Sequence, residues 1–254
     1  GTILHTNNQP TISDVSNQLI PINGNTGALP FTVNDADGET MAFSAVSDNP
    51  TLIPNNSANL TFNLTTGGNG LYTLTITPAA GETGTANISL NVDDQGGGSL
   101  SRNFTYFQVK VNAQPTISSI SDQQIQTNQN TDALSFTVTD NNGDTMAFSA
   151  SSDNTTLVPN NPSNLTFNQS TGGDGSYTLT VTPAADEVGT ANITVTIDDQ
   201  QGQSNSTVTE TFQVKVNAQP TISEIADQST NEDNATSAIP FTVGDQETAA
   251  GSLT

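Results

Sequence analysis

The chain has no cysteine and no tryptophan, a single histidine and only three basic residues in 254. Each shortage removes a class of chemistry. Without cysteine there is no disulfide framework, no thiol nucleophile and no thiolate-bound zinc, so the fold must rest on core packing, on a metal, or on both. The lone histidine, His5, lies outside every repeated motif, so a Ser-His-Asp arrangement lacks its base. It is expected to be a solvent-facing strand residue. Paired acids could serve a glycosidase, but such clefts are lined by aromatic rings. Here tryptophan is missing, and Tyr72 and Tyr177 fall in phase with the core. The same lack argues against a sugar-stacking module, and no enzyme is expected.

Basic charge is the scarcest commodity. Arg102, Lys110 and Lys215 stand against 25 acidic residues, for a net charge of −22. Nucleic acids and anionic membranes need Lys and Arg to displace counterions, so neither is an expected partner. Cations are, with a bare solvated acidic surface as the alternative. No apolar run approaches the roughly 20 residues of a membrane span and no signal peptide is visible. The abrupt start at Gly1 and stop at Thr254 read as a window cut from something longer.

What is present is repetition. Gln9-Pro10-Thr11-Ile12-Ser13 returns at Gln114–Ser118 and at Gln219–Ser223, 105 residues apart each time. Phe31-Thr32-Val33 returns at Phe136 and Phe241, Thr40–Ala45 at Thr145–Ala150, and Tyr72–Ile76 at Tyr177–Val181, with no insertion between the first two copies. That period is too long for a solenoid unit and fits one whole β-sandwich. The organisation expected is a leading segment or tail strand at 1–8, repeats at 9–113 and 114–218, and an incomplete third at 219–254.

Strand expectations for one repeat are 10–22 (broken at Pro21), 28–34, 40–47, 59–65, 71–77, 85–93 and 101–112. Apolar and polar residues alternate, as in Leu29-x-Phe31-x-Val33, Tyr72-x-Leu74-x-Ile76 and Ile88-x-Leu90-x-Val92. That gives one buried and one wet face, as an antiparallel sheet requires. Asp37-Gly38, Gly67–Gly70, Gly81 and Gly96–Gly98 supply the turns. The fold class is all-β, as tandem seven-stranded immunoglobulin/cadherin-like β-sandwiches in an extended array. The ordered pieces QPTIS, FTV-x-D, GETMAFSA, TLTITPAA, GTANISLNVDD and FQVKVNAQP resemble the bacterial immunoglobulin-like and dystroglycan-type cadherin-like repeats of large surface proteins and adhesins. The resemblance implies extended stalks, often rigidified by calcium. Unlike true cadherins, the linker Val111-Asn112-Ala113-Gln114-Pro115 has no acidic run.

Sandwich topology places the loop after the second strand and the loop between the last two strands at one pole. In repeat 1 these loops carry Asp35, Asp37 and Glu39, with Asp93 and Asp94; in repeat 2 they carry Asp140 and Asp144, with Asp198 and Asp199. The third copy keeps Asp245 and Glu247. Glu82, and Asp186 with Glu187, lie at the other pole. Clustered carboxylates repel unless a cation sits among them, and Ca2+ takes 6 to 8 such oxygens. The eleven acids at the first pole are therefore candidate calcium ligands, with solvated, metal-free turns as the alternative. The Asp35 stretch is no EF-hand, because its twelfth position is Val46. Asn142 in place of Asp37 makes repeat 2 the weaker site.

Other motifs carry less. Pilin-like domains join a buried lysine to an asparagine, but Phe107, Val109 and Val111 point inward, so Lys110 points out, and Lys215 repeats the pattern. The Thr-x-Thr rows at 73–77 and 178–182 fit a solvated sheet more simply than an ice-binding face. Asn-x-Ser/Thr sequons occur at Asn55, Asn59, Asn63, Asn87, Asn103, Asn154, Asn164, Asn168, Asn192, Asn205 and Asn234, which leaves glycan decoration open. The functional expectation is a structural stalk or filament segment of an extracellular or cell-surface protein. Its partners would be neighbouring domains or subunits, with strand exchange between subunits as one route to assembly. The alternative is an adhesive module that recognises protein or glycan at its loop tips.

Overall fold

Alternating apolar side chains become strands when a second sheet can cover their apolar face, and the chain does this twice over. The computed structural model describes residues 6–247, so His5 lies outside the described residues. Every regular element among them is a strand. The first copy runs β1 (Thr11–Ile12), β2 (Gln18–Pro21), β3 (Leu29–Asn34), β4 (Met41–Ser47), β5 (Leu60–Phe62), β6 (Thr66–Gly67), β7 (Gly70–Ile76), β8 (Gly84–Asp93) and β9 (Arg102–Asn112). One sheet has the order β1-β3-β7-β5 and the other β2-β9-β8-β4-β6. The pairs are antiparallel except for β2 with β9, which run parallel from Gln18 opposite Val109 to Pro21 opposite Asn112.

Burial follows the pleat. Leu29, Phe31 and Val33 of β3 are buried while Pro30, Thr32 and Asn34 are exposed. From β8 the side chains Ala86, Ile88, Leu90 and Val92 enter the same core. At its centre Phe31 meets Phe43, Phe62 and Tyr72 at ring-centroid distances of 5.7, 6.1 and 6.0 Å. Such pairs add about 0.5–1.5 kcal/mol each beyond burial. Tyr72 hangs its hydroxyl on the carbonyl of Gly68 at 2.8 Å. Its ring lies so close over Gly67 that a Cβ there would sit 2.0 Å from the hydroxyl oxygen.

Two expected strands divide. The 10–22 run becomes β1 and β2 on opposite sheets, because the polar stretch between them bonds sideways. Ser13 Oγ accepts from Thr32 N, and Asn17 Oδ1 accepts from Gln108 N. Pro21 ends β2, an edge strand, where its missing N–H is tolerated. The 59–65 run stops at Phe62, since Asn63 Oδ1 takes the Thr73 N–H, and the chain crosses to pair β6 with β4.

The second copy repeats each element 105 residues on: β10 (Thr116–Ile117), β11 (Gln123–Gln126), β12 (Leu134–Thr139), β13 (Met146–Ser152), β14 (Leu165–Phe167), β15 (Thr171–Gly172), β16 (Gly175–Val181), β17 (Gly189–Asp198) and β18 (Thr207–Asn217). Its sheets are β10-β12-β16-β14 and β11-β18-β17-β13-β15. A third pair, β19 (Thr221–Ile222) with β20 (Val243–Gly244), repeats the β1–β3 pairing, with Ile222, Phe241 and Val243 exposed. By packing, the chain forms two compact units. The first is the chain up to Pro115 together with the loops Asp140–Thr145 and Asp198–Thr207; the second is Thr116–Thr139, Met146–Ile197 and Val208 onward. No helix among the described residues is long and apolar enough to cross a membrane.

Candidate functional site

The turn after β3 is organised by Asp35, a residue only 2% exposed. Its Oδ1 accepts the backbone N–H groups of Asp37 at 2.8 Å and Gly38 at 3.2 Å. Gly38 takes a φ of 74°, which a side chain would disfavour. Asn69 clamps the turn: Asp35 N donates to Asn69 Oδ1 at 2.6 Å, and Asn69 Nδ2 donates back to the Asp35 carbonyl at 2.9 Å. This curl brings one oxygen each from Asp35, Asp37 and Glu39 within 4.8 Å of one another. Asp35 Oδ2 is buried and has no hydrogen-bond partner.

The chain ahead of β1 lies against the same turn. Asn8 donates to Asp37 through its backbone N (2.7 Å) and its Nδ2 (2.9 Å). Asn7 Nδ2 donates to Asp94 Oδ2 at 2.9 Å, while Asp94 Oδ1 accepts from Gly96 N at 2.8 Å. Asn7, Asp37, Glu39 and Gly96 line an open cavity of about 350 Å³.

This donor set suits a hard cation. Oxygens on opposite sides of a calcium ion, each about 2.3–2.6 Å from it, stand roughly 5 Å apart. Three carboxylate oxygens within 4.8 Å meet that limit. Carboxylates gathered this closely repel one another, and a cation among them relieves that repulsion. Asp93, on the facing loop, stands apart from the cluster. Its Oδ1 takes the Gln95 N–H and its Oδ2 the Arg102 Nε, each bond about as short as these get (2.8 and 2.7 Å). The Gln95 bond holds its carboxyl below the usual range, outweighing burial, and Arg102 adds a lesser pull in the same direction.

The loops Asp140–Thr145 and Asp198–Thr207 show the same plan with different chemistry. Asp140 is 3% exposed and takes the Asn142 N–H at 2.8 Å, yet burial pushes its carboxyl above the usual range. Asp144 receives Lys110 Nζ at 2.8 and 3.1 Å, and the same ammonium donates to Gln201 Oε1 at 3.0 Å. Asp199 is fully buried, accepting from Asn112 Nδ2 at 2.7 Å and Gln201 N at 2.9 Å. Asp198 caps Gln200 N at 2.8 Å, as Asp93 does Gln95. In the third copy Asp245 Oδ1 accepts from Glu247 N, and Glu247 Oε1 accepts from Ala218 N.

One bond recurs in all three copies: a backbone N–H ahead of the first strand reaches the loop side chain. It runs from Asn8 to Asp37, from Ala113 to Asn142 and from Ala218 to Glu247. Sequence reasoning singled out the acids but missed the amides that hold them, Asn7, Asn69 and Asn112. The signal was available, since Asn7, Asn112 and Asn217 recur at the 105-residue offset. Lys110 does leave the sandwich core, as its phase requires, but it ends half-buried on Asp144.

Many sequon asparagines have structural work. Nδ2 of Asn55, Asn59, Asn103, Asn154, Asn164 and Asn205 donates to a backbone carbonyl, and Nδ2 of Asn87 and Asn192 to Asp48 and Asp153. At the opposite pole Asp186 exchanges hydrogen bonds with Asn128. An exposed aromatic pair in the first copy has no counterpart in the second. Phe104 and Tyr106 are 45% and 70% exposed on β9, stacked 6.2 Å apart, where the second copy has Thr209 and Thr211.

Comparison with protein-family models and with curated proteins finds no match. Among solved structures, the chain is similar to an I-band fragment of titin at 12% identity and a TM-score of 0.53, covering 83% of this chain and 66% of that one. An E-to-A variant of the three-Ig titin fragment gives 12% identity and a TM-score of 0.53, over 84% and 67% of the two chains. The chain thus spans about two thirds of the length of the first fragment. At this identity the likeness speaks for the fold: the chain is built of tandem immunoglobulin-like β-sandwiches.

Proposed function

We propose that this chain is a structural spacer segment of an extracellular or cell-surface protein, and that the turn carrying Asp35, Asp37 and Glu39 takes a calcium ion. The observation that carries the spacer reading is the sameness of the two copies. Every strand boundary recurs at an offset of 105 residues. So do many internal bonds, among them Tyr72 on Gly68 with Tyr177 on Gly173, and Asn87 on Asp48 with Asn192 on Asp153. Recognition works through elaborated, divergent loops, whereas spacing needs only copies that fold alike. The resemblance to repeats of large surface proteins and adhesins points the same way.

Calcium is supported by the buried Asp35 Oδ2 that lacks a hydrogen-bond partner and by the two carboxylates beside it. The test is thermal unfolding of the whole chain in calcium, in magnesium and in excess chelator. A ligand that binds only the folded state at 100 times its Kd adds about 2.7 kcal/mol. A rise in one melting transition with calcium and a smaller one with magnesium is expected. No rise with calcium would remove the metal from the reading.

The exposed Phe104–Tyr106 stack favours a second reading, an adhesive face, because the second copy has Thr209 and Thr211 there. Beads carrying the chain would then adhere saturably to a surface displaying protein or glycan, and Tyr106→Ala would abolish the adhesion. Beads that stay free in both forms leave the spacer alone.

A further inference from the structure

The exposed large apolar side chains of the two full copies all fall in the first. Among the described residues they are Val46, Leu64, Leu71, Leu100, Phe104 and Tyr106, and at every matching position the second copy carries Ser, Thr, Asn or Gln. Val46, Phe104 and Tyr106 share one face. Along β9, Arg102, Phe104, Tyr106 and Gln108 point outward, alternating with buried Thr105, Phe107 and Val109. Tyr106 pairs with Ser89 of β8, and Ser89 with Val46 of β4; Phe104 pairs with Asn91, and Asn91 with Ser44. The face therefore carries a ridge of two rings, 6.2 Å apart. Beside it, one strand spacing of about 4.8 Å away, runs a trough floored by Ser89 and Asn91, with Val46 on its far side. In the second copy Thr211 stands for Tyr106 and meets Thr194, the counterpart of Ser89, hydroxyl to hydroxyl at 3.0 Å. Ridge and trough give way there to a level row.

The same face is poor in charge. Of the chain's 25 acids, the outward positions of β4, β8 and β9 carry Asp93 alone, and Arg102 Nε holds it at 2.7 Å. Specific protein interfaces have this make-up, with Tyr, Phe and Arg at the centre and acids depleted. We propose that the outer face of β9, β8 and β4 is a homophilic interface, docking the same face of a second copy of this chain. This rests on the reading of the Phe104–Tyr106 stack as adhesive, and it names the partner. Two features favour a second copy. A two-fold axis along the strands, between β8 and β9, lays the ridge of each copy in the trough of the other, so the face complements itself. Two chains of net charge −22 also repel each other, and here they meet with the one acid on the face already neutralised. Ten residue pairs join β8 to β9. That length, about 33 Å, and a width of about 15–20 Å make a contact at or below the roughly 800 Å² per side of standard complexes. The dimer is accordingly weak and reversible.

The test is sedimentation equilibrium of the whole chain in chelator, from micromolar to millimolar concentration, with circular dichroism confirming the β fold of each variant. A reversible monomer–dimer equilibrium is expected, and it should tighten as salt screens the like charge of the two chains. The double variant Phe104→Thr, Tyr106→Thr carries the residues that the second copy uses on the same fold. It should weaken the dimer at least about tenfold, as loss of a central aromatic pair does. Ser89→Glu, which fills the trough with a charge and leaves the rings in place, should do the same. Leu71→Ser lies on the other sheet and should leave the dimer within about twofold of the unmodified chain. A chain that stays monomeric throughout, a dimer that survives both face variants, or one that weakens as salt rises would overturn the proposal. If monomeric chains still carry beads to a displayed protein or glycan through Tyr106, the adhesive face stands and the second copy is refuted as its partner.

Discussion

Replacing Gly67 with alanine tests the packing logic of the sandwich more sharply than any larger change. A Cβ at this position would stand 2.0 Å from the Tyr72 hydroxyl oxygen, 2.6 Å from Cζ and 2.8 Å from Cε1. Comfortable carbon contacts begin near 3.5 Å, so the ring must move by about an ångström or more. It has nowhere easy to go. Its centroid lies 4.5 Å from that of Phe43 and 6.0 Å from that of Phe31, and its hydroxyl is bonded to Gly68 O. Overpacking costs about 1–3 kcal/mol and the lost hydrogen bond about 1 more. The sum, about 2–4 kcal/mol, lowers the melting temperature of a sandwich this size by roughly 10 °C or more.

Calorimetry on the whole chain in chelator provides its own reference, because Gly172 and Tyr177 repeat the same close approach in the second copy. Gly67→Ala should move one transition down and leave the other in place. Gly68→Ala, with nothing within 4 Å of its would-be Cβ, should shift stability by less than about 1 kcal/mol in either direction. Tyr72→Phe removes the nearest atom, so Gly67→Ala should cost at least about 0.5 kcal/mol less in that background. Equal costs for Gly67→Ala and Gly68→Ala, or strict additivity with Tyr72→Phe, would refute the reasoning.

Three further outcomes follow from the same geometry. Thr131→Val leaves the buried Val181 N–H without the hydroxyl it meets at 2.9 Å; chemical denaturation should show a loss of about 1–3 kcal/mol, largely recovered by Thr131→Ser. Met41→Ala empties a fully buried position and should cost about 2–5 kcal/mol by the same assay. Asp48 and Asp153 are held below the usual carboxylate range by their partners, Asp48 chiefly by the Asn87 side chain and Asp153 chiefly by the Asn192 backbone N–H. A depressed folded pKa stabilises above the unfolded value and is lost as pH falls through the folded one. Melting temperature should therefore fall on acidification below about pH 4, and less steeply in the Asp48→Asn, Asp153→Asn double variant.

Much of the fold is legible in the sequence because period-two alternation reports which face is buried. Tyr72-x-Leu74-x-Ile76 and Ile88-x-Leu90-x-Val92 are read correctly on that basis. Alternation does not report which sheet a residue joins, so the Thr11–Pro21 run looks like one strand although Ser13 and Asn17 turn it from one sheet to the other. The candidate site is legible only in its acids. Clustered Asp and Glu advertise themselves, whereas the amides that hold them are lost among many other asparagines. The phase of Lys110 shows that it leaves the core, but its partners Asp144 and Gln201 lie 34 and 91 residues away in sequence. No local pattern reaches that far.

The parallel pairing of β2 with β9 bears on how the first sandwich would yield under tension. These strands lie near the start and the end of the same copy, side by side and pointing the same way. Pulling the two ends apart along the strands slides one past the other. The pairs from Gln18–Val109 to Pro21–Asn112, and the Ile22 N–H bonded to Asn112 O beyond them, then carry load together rather than opening one at a time. A ladder loaded in shear breaks only when its bonds fail at once, so the first copy is built to resist extension at its own ends. The β11–β18 pair of the second copy has the same parallel register, so each repeat brings its own clasp.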